Sequence, residues 1–168
     1  MNNTNRLKMR SLLVFMVAAA LAYGSPAKSA DPDFTVVFPA GTACDFDLQI
    51  DGWGGNTLIK DFIDKDGNVV RSILAGRGAA MRFTNLATDS TFLTKSNGAT
   101  QHTTYNLDGS STQKLTGHNV LIMYPTDNPP GPSTTLYVGR VVYTVDTAGV
   151  FTLQAASGKT TDICAALP

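Results

Sequence analysis

An all-β domain is what this sequence predicts: an antiparallel meander of about ten strands forming a closed or flattened barrel, with a two-sheet β-sandwich as the alternative. Three observations carry that expectation. From Phe34 onward, apolar residues recur with period two rather than 3.6. Turn residues interrupt them about every ten positions. All thirteen acids are Asp and none is Glu, while Thr, Ser and Gly abound, a composition that favours strands and turns over helices.

The chain starts with a segment of another kind. Arg6, Lys8 and Arg10 precede the apolar run "SLLVFMVAAALAYG", and the small-residue stretch "SPAKSA" follows it. That pattern makes residues 1–27 a secretory signal peptide, cut after Ala27 or after Ala30. The run is shorter than the ~20 residues a spanning helix needs, so no membrane partner is expected after cleavage. Residues 31–168 then form a single β-domain, secreted, or periplasmic where the cell has an outer membrane. Removing Arg6, Lys8, Arg10 and Lys28 leaves nine Lys and Arg against thirteen Asp, a net charge of about −4. The remaining basic residues are scattered singly, which argues against a nucleic-acid partner.

The strands follow in order. In "CDFDLQID", Cys44, Phe46, Leu48 and Ile50 alternate with Asp45, Asp47, Gln49 and Asp51, one core face and one wet face. Next come "TLIKDFID", "VVRSILA", "AAMRFTNL", "STFLTKS", "ATQHTTYN", "STQKLT", "NVLIMYP", "TTLYVGRVVYTVD", "GVFTLQAA" and a short "TDICAA". The connections read as "DGWGGN", "DKDGN", "GRG", "ATD", "NG", "LDG", "GH", "TDNPPGP", "TAG" and "SGK". Most are short, so sequence neighbours should pair as hairpins. Cys44 and Cys164 lie near the two ends of the domain in a chain addressed to an oxidising compartment, and a disulfide between them is expected. Closing so long a loop stabilises by about 4 to 5 kcal/mol in the chain-entropy model.

"DKDGN" has the look of a calcium loop. An EF-hand needs Gly at its sixth position and Glu at its twelfth; counting from Asp64, Gly67 arrives fourth and Ala75 stands twelfth. A hairpin accounts for the same residues, with Asp66-Gly67 in a primed turn. The pattern recurs around Gly109 in "YNLDGSST" and more loosely around Gly149 in "VDTAGVF". The turns at Gly67 and Gly109 are therefore expected at one end of the domain. No metal or other cofactor is predicted, since Asp45, Asp47 and Asp51 also read as the solvated face of a strand.

Two loops are the expected contact elements of a binding protein: "DGWGGN", with Asp51, Trp53 and Asn56, and the proline-stiffened "TDNPPGP", with Asp127 and Asn128. Trp53, held among glycines, either stacks on a sugar or folds back to plug one end of the barrel. The catalytic alternative is a cyclase- or isomerase-type enzyme working in a barrel interior with His102, His118, Asp61, Arg71, Arg82 or Arg140. Asp61 is the candidate inward carboxylate, because both parities of "TLIKDFID" carry apolar residues. No Gly-x-Ser-x-Gly elbow or Cys/His pairing accompanies these residues.

The segments "FPAGTACDFDL", "FTNLAT", "TGHNVLI", "GPSTTLYVGRVVYT" and "SGKTTDICAAL" resemble a family of small secreted bacterial all-β proteins of unassigned function. The resemblance covers most of the mature chain. It implies export and an all-β domain, and offers no catalytic residues. The expected function is a secreted, non-enzymatic binding domain for a small molecule, a glycan or a surface molecule, with an extracellular structural protein as a further alternative.

Overall fold

A computed structural model describes residues 30–168, so the leader expected at 1–27 lies outside the described residues. The described residues form ten strands: β1 (Phe34–Phe38), β2 (Leu48–Trp53), β3 (Asn56–Ile63), β4 (Val69–Arg77), β5 (Ala80–Asn85), β6 (Thr91–Thr94), β7 (Gly98–Tyr105), β8 (Ser111–Met123), β9 (Ser133–Val145) and β10 (Phe151–Asp162). All strand pairs are antiparallel. They make two sheets, one of four strands in the order β1-β2-β5-β6 and one of six in the order β10-β9-β8-β7-β4-β3. The strands do not close into a barrel; the arrangement agrees with the two-sheet alternative.

Sequence neighbours pair as hairpins except at three steps, β2 to β3, β4 to β5 and β6 to β7, where the chain passes from one sheet to the other. These steps lie side by side. Gly78 N donates to Asn97 O at 2.9 Å, and Ser96 Oγ donates to Gly78 O at 2.6 Å.

A crease continues this line across the large sheet. Gly76, Ala99, Gly117, Gly139 and Gly158 stand opposite one another on β4, β7, β8, β9 and β10. Gly117 has φ +93° and Gly158 φ +102°, and a Cβ on Gly139 would run into the Ser157 carbonyl oxygen of the neighbouring strand. Only glycine allows so close a backbone approach in that conformation. The bend this produces is large. β9 has thirteen residues and would span ~40 Å if straight. Met123 sits opposite Ser133 at one end of β9, and Phe151 opposite Val145 at the other. Yet Asn128, five residues past Met123 and so within ~18 Å of it, pairs its backbone with Phe151 and Leu153. The two ends of the sheet therefore approach each other.

Several expectations need correcting here. "GH" and "SGK" are not reversals: Gly117-His118 lies inside β8 and Ser157 to Lys159 inside β10, so four expected strands are two. A glycine in a strand bends the chain when its neighbours on adjoining strands bend with it. Part of "DGWGGN" is likewise strand, since Asp51, Gly52 and Trp53 belong to β2.

Two cores result. The inner face of the small sheet, with Leu48, Ile50 and Phe83, packs with Val120 and Ile122 of β8 and Leu136 of β9. The tail residues Ile163 and Leu167 close that end, where Cys44 and Cys164 form the expected disulfide with Cα atoms 5.6 Å apart. The second core lies on the opposite face of β8 and β9, inside the bend, and is built from Leu115, Leu121, Met123, Tyr137, Val141 and Tyr143.

The "DKDGN" turn is a hairpin, though not a primed one: Gly67 has φ +88°, while Asp66 does not take a positive φ. Asp64 Oδ1 accepts from the backbone N–H of Asp66 and Asn68, an Asx-stabilised turn closed by Gly67. Asn106 to Ser110 and Asp146 to Val150 repeat the closing backbone bonds. All three turns fall at one end of the large sheet, as the pairing of Thr104 with Arg71 and of Ser111 with Val145 requires.

Candidate functional site

Where the three crossover steps carry the small sheet away from the large one, the layers splay and leave a cleft of about 270 Å³. Its large-sheet wall is the row next to the crease, His118 on β8, Val138 on β9 and Lys159 on β10, which pair directly across the strands. At a strand spacing of ~4.8 Å, His118 and Lys159 stand ~10 Å apart, with Val138 between them. Lys95 and Asn97 come from the β6 to β7 step, while Met81, Val120 and Leu136 supply apolar lining.

The charge of the cleft is one-sided. Lys95, Lys159 and His118 line it, no Asp does, and among the described residues none of the three takes part in an ion pair. This departs from the rest of an acidic domain. On the other side of Met81 and Val120 lies an apolar groove of about 290 Å³, formed by Phe34, Val36 and Phe38 of β1 with Ile50, Phe83 and Ile122. Met81 and Val120 line both spaces.

The expected site residues are divided among several places. Asp51, Trp53 and Arg82 come together on the outer face of the small sheet. Thr35, Asp51, Arg82 and Leu93 form one row across its four strands. Asp51, expected on a wet face, is only 1% exposed, because its cross-strand neighbours cover it. Its carboxylate accepts from Thr35 Oγ1 at 2.7 Å, Gln49 Nε2 at 3.0 Å and Arg82 Nη2 at 2.7 Å. Burial pushes the Asp51 carboxyl up, but the hydrogen bonds from Thr35, Arg82 and Gln49 and the Arg82 charge outweigh it and hold the pKa below its ordinary 3.8. Trp53 neither plugs an end nor stands out on a loop. It is half-buried at the end of β2, with the Arg82 guanidinium 5.3 Å from its ring centroid.

The "TDNPPGP" loop is spoken for by the fold. Asp127 is buried, with Oδ1 accepting from Phe151 N and Oδ2 from Tyr124 N, and the Asn128 backbone pairs with β10. Asp127 and the Asn128 backbone therefore lock the bend, while Asn128 itself is exposed. Asn56 starts β3 in an exposed position.

The residues of the catalytic alternative are not assembled. Asp61 is exposed on the edge strand β3, bonded to Ser72 Oγ, and Arg71 lies over the Phe62 ring at 4.0 Å. His102 pairs with Lys114, four residues along β8 from His118. Arg140 is exposed beyond the crease. The sheets form no closed barrel around these residues, and Asp61 is exposed and not inward. Of the group only His118 enters the cleft. Among the described residues no cluster of three or more His, Cys or Asp side chains could hold a metal, and no helix is long and apolar enough to cross a membrane.

Sequence reasoning missed Lys95 and Lys159, which look like isolated surface lysines. The available signal was position, since His118 and Lys159 each follow a crease glycine directly. No family model matches the chain, nor does any curated protein or solved structure.

Proposed function

We propose that the chain is an exported, non-enzymatic binding domain whose ligand site is the cleft between its two sheets. The observation that carries this reading is the cleft itself, an apolar-lined space of about 270 Å³ with basic and amide groups at its edge. A few convergent polar groups over an apolar floor are the usual make-up of a small-molecule site. The leader-like N-terminus and the Cys44–Cys164 bond support export to an oxidising compartment. The resemblance to small secreted bacterial all-β proteins points the same way.

The test is thermal denaturation against a panel of sugars, lipids, small aromatics and calcium, with and without chelator. A ligand at a hundredfold its Kd stabilises the native state by about 2.7 kcal/mol. Such a ligand should raise the midpoint of the wild type and not of His118→Trp, which fills the cleft from an exposed position. If no compound in the panel raises the midpoint, the small-molecule reading fails.

One observation favours a second reading, an extracellular structural protein assembled through strand edges. The edge strand β3 exposes Leu58 (77%) and Ile59 (67%), with only Lys60 and Asp61 between them and the apolar Phe62 and Ile63. Sedimentation showing monomer alone over a wide concentration range would dismiss it.

A further inference from the structure

Resting on the cleft as the binding site, we infer that its ligand is a single-chain anionic amphiphile, a medium-chain carboxylate whose head sits among Lys95, Lys159 and His118 and whose tail passes Met81 into the groove at β1. Charge assigns the head. The domain from residue 30 onward carries nine Lys and Arg against thirteen Asp, yet the cleft gathers two lysines and a histidine with no acid beside them. An anion there meets no repelling carboxylate, and neither lysine has to leave an ion pair to receive it. A neutral ligand would make no use of that imbalance.

Shape and chemistry assign the tail. The groove beyond Met81 and Val120 is walled by Phe34, Val36, Phe38, Ile50, Phe83 and Ile122, with no titratable group among them. Cleft and groove each fall just under the ~300–1,000 Å³ typical of small-molecule sites. Together they suit one alkyl chain with its head group. Met81, at the junction, is the residue suited to yield, since an unbranched thioether changes rotamer easily to fill or open a gap. The occupant is the free amphiphile and not a bilayer surface, because the apolar walls face each other across the gap between two sheets.

Isothermal calorimetry tests this on the full domain with the disulfide intact, using sodium hexanoate, octanoate and decanoate below their micelle concentrations and 1-decanol as the neutral counterpart. Affinity should rise about fourfold for each methylene added, the factor expected for burying a CH₂ group. Decanoate should bind at least tenfold more tightly than decanol. The double variant Lys95→Gln/Lys159→Gln should bring the two within threefold of each other. Val36→Asn, a change at a half-exposed groove position, should flatten the dependence on chain length while leaving hexanoate binding unchanged.

Equal affinity for decanoate and decanol in the wild type overturns the inference, as does retention of the carboxylate preference in the double lysine variant. Binding to anionic phosphatidylglycerol vesicles without uptake of decanoate overturns it too. If a neutral sugar or aromatic compound protects the wild type but not His118→Trp, while decanoate does nothing, the cleft reading stands and the amphiphile is wrong. If nothing binds, both fall.

Discussion

The two cores share β8 and β9 but are built by different means. At the disulfide end, two sheets face each other, and the Cys44–Cys164 bond and the tail at Ile163 and Leu167 hold them shut. On the other face of β8 and β9, one sheet bends along its glycine row and covers itself, with Asp127 and Asn128 fastening the bend. β8 serves both, sending Val120 and Ile122 to the first core and Leu121 and Met123 to the second. That is why "NVLIMYP" is apolar at both parities: a strand buried on two faces has no wet side. One core depends on a covalent bond and packing, the other on backbone that tolerates no side chain.

Four perturbations separate them, in descending order of expected effect. Gly139→Val should be the most damaging, because its Cβ would collide with the Ser157 carbonyl and cannot adopt the glycine's φ of +147° without strain. A loss of more than about 4 kcal/mol, read from a urea transition or failure to fold, is expected. A variant of wild-type stability would show that the crease can open without cost.

Removing the disulfide through Cys44→Ala and Cys164→Ala together should lower stability by about 4 kcal/mol. Hydrogen exchange should locate that loss. Amides of β1, β2 and β5 should lose more protection than those around Val141 and Tyr143. Equal loss in both places would mean that the cores unfold as one unit.

Asp51→Asn should cost about 2 kcal/mol, less than a fully buried pair, because the Arg82 side chain is partly in water. Its pH signature is specific. The folded pKa of Asp51 lies below the unfolded value near 3.8, so its contribution is complete above that pH and is lost as pH falls through the folded pKa. The wild type should therefore lose its advantage over the variant below about pH 4. A gap between the two urea midpoints that stays constant down to pH 2 would contradict the ion pair.

The smallest effect belongs to the turns. Gly67→Ala meets nothing within 4 Å and should cost only the ~1–2 kcal/mol of a left-handed alanine. Gly109→Ala should cost more, since its Cβ would press on Thr147 Cγ2 at 3.0 Å. The reverse order would mean that the β9–β10 turn does not pack where Thr147 places it.

The legible parts of the fold were those governed by neighbours in sequence. Period two marked the strands, Asp66-Gly67 and Asp108-Gly109 marked two of the turns, and the two cysteines announced their bond, whereas Asn97-Gly98 proved to lie at a crossover between the sheets. The site was less legible. Asp51 looked wet because alternation reports which face of a strand a residue occupies, whereas its burial depends on Thr35, Gln49 and Arg82 lying over it. Asp127 looked open to a ligand because nothing local reveals that it will accept from Phe151, 24 residues away. Lys95, from the β6 to β7 step, and Lys159, from β10, share a cleft only through the tertiary arrangement of the sheets.

By itself, the sequence determined the strand chemistry, the two matching turns at Gly67 and Gly109 and the cysteine pairing, since each follows from local backbone preference or from there being only two thiols. Tertiary structure alone decided that Gly76, Gly117, Gly139 and Gly158 form one crease, that the chain makes two sheets without closing, and that three basic side chains line one cleft. The physical reason is register. A glycine in a strand is compatible with a turn, a bulge or a bend, and only its alignment with glycines on neighbouring strands selects the bend that shapes both the second core and the cleft.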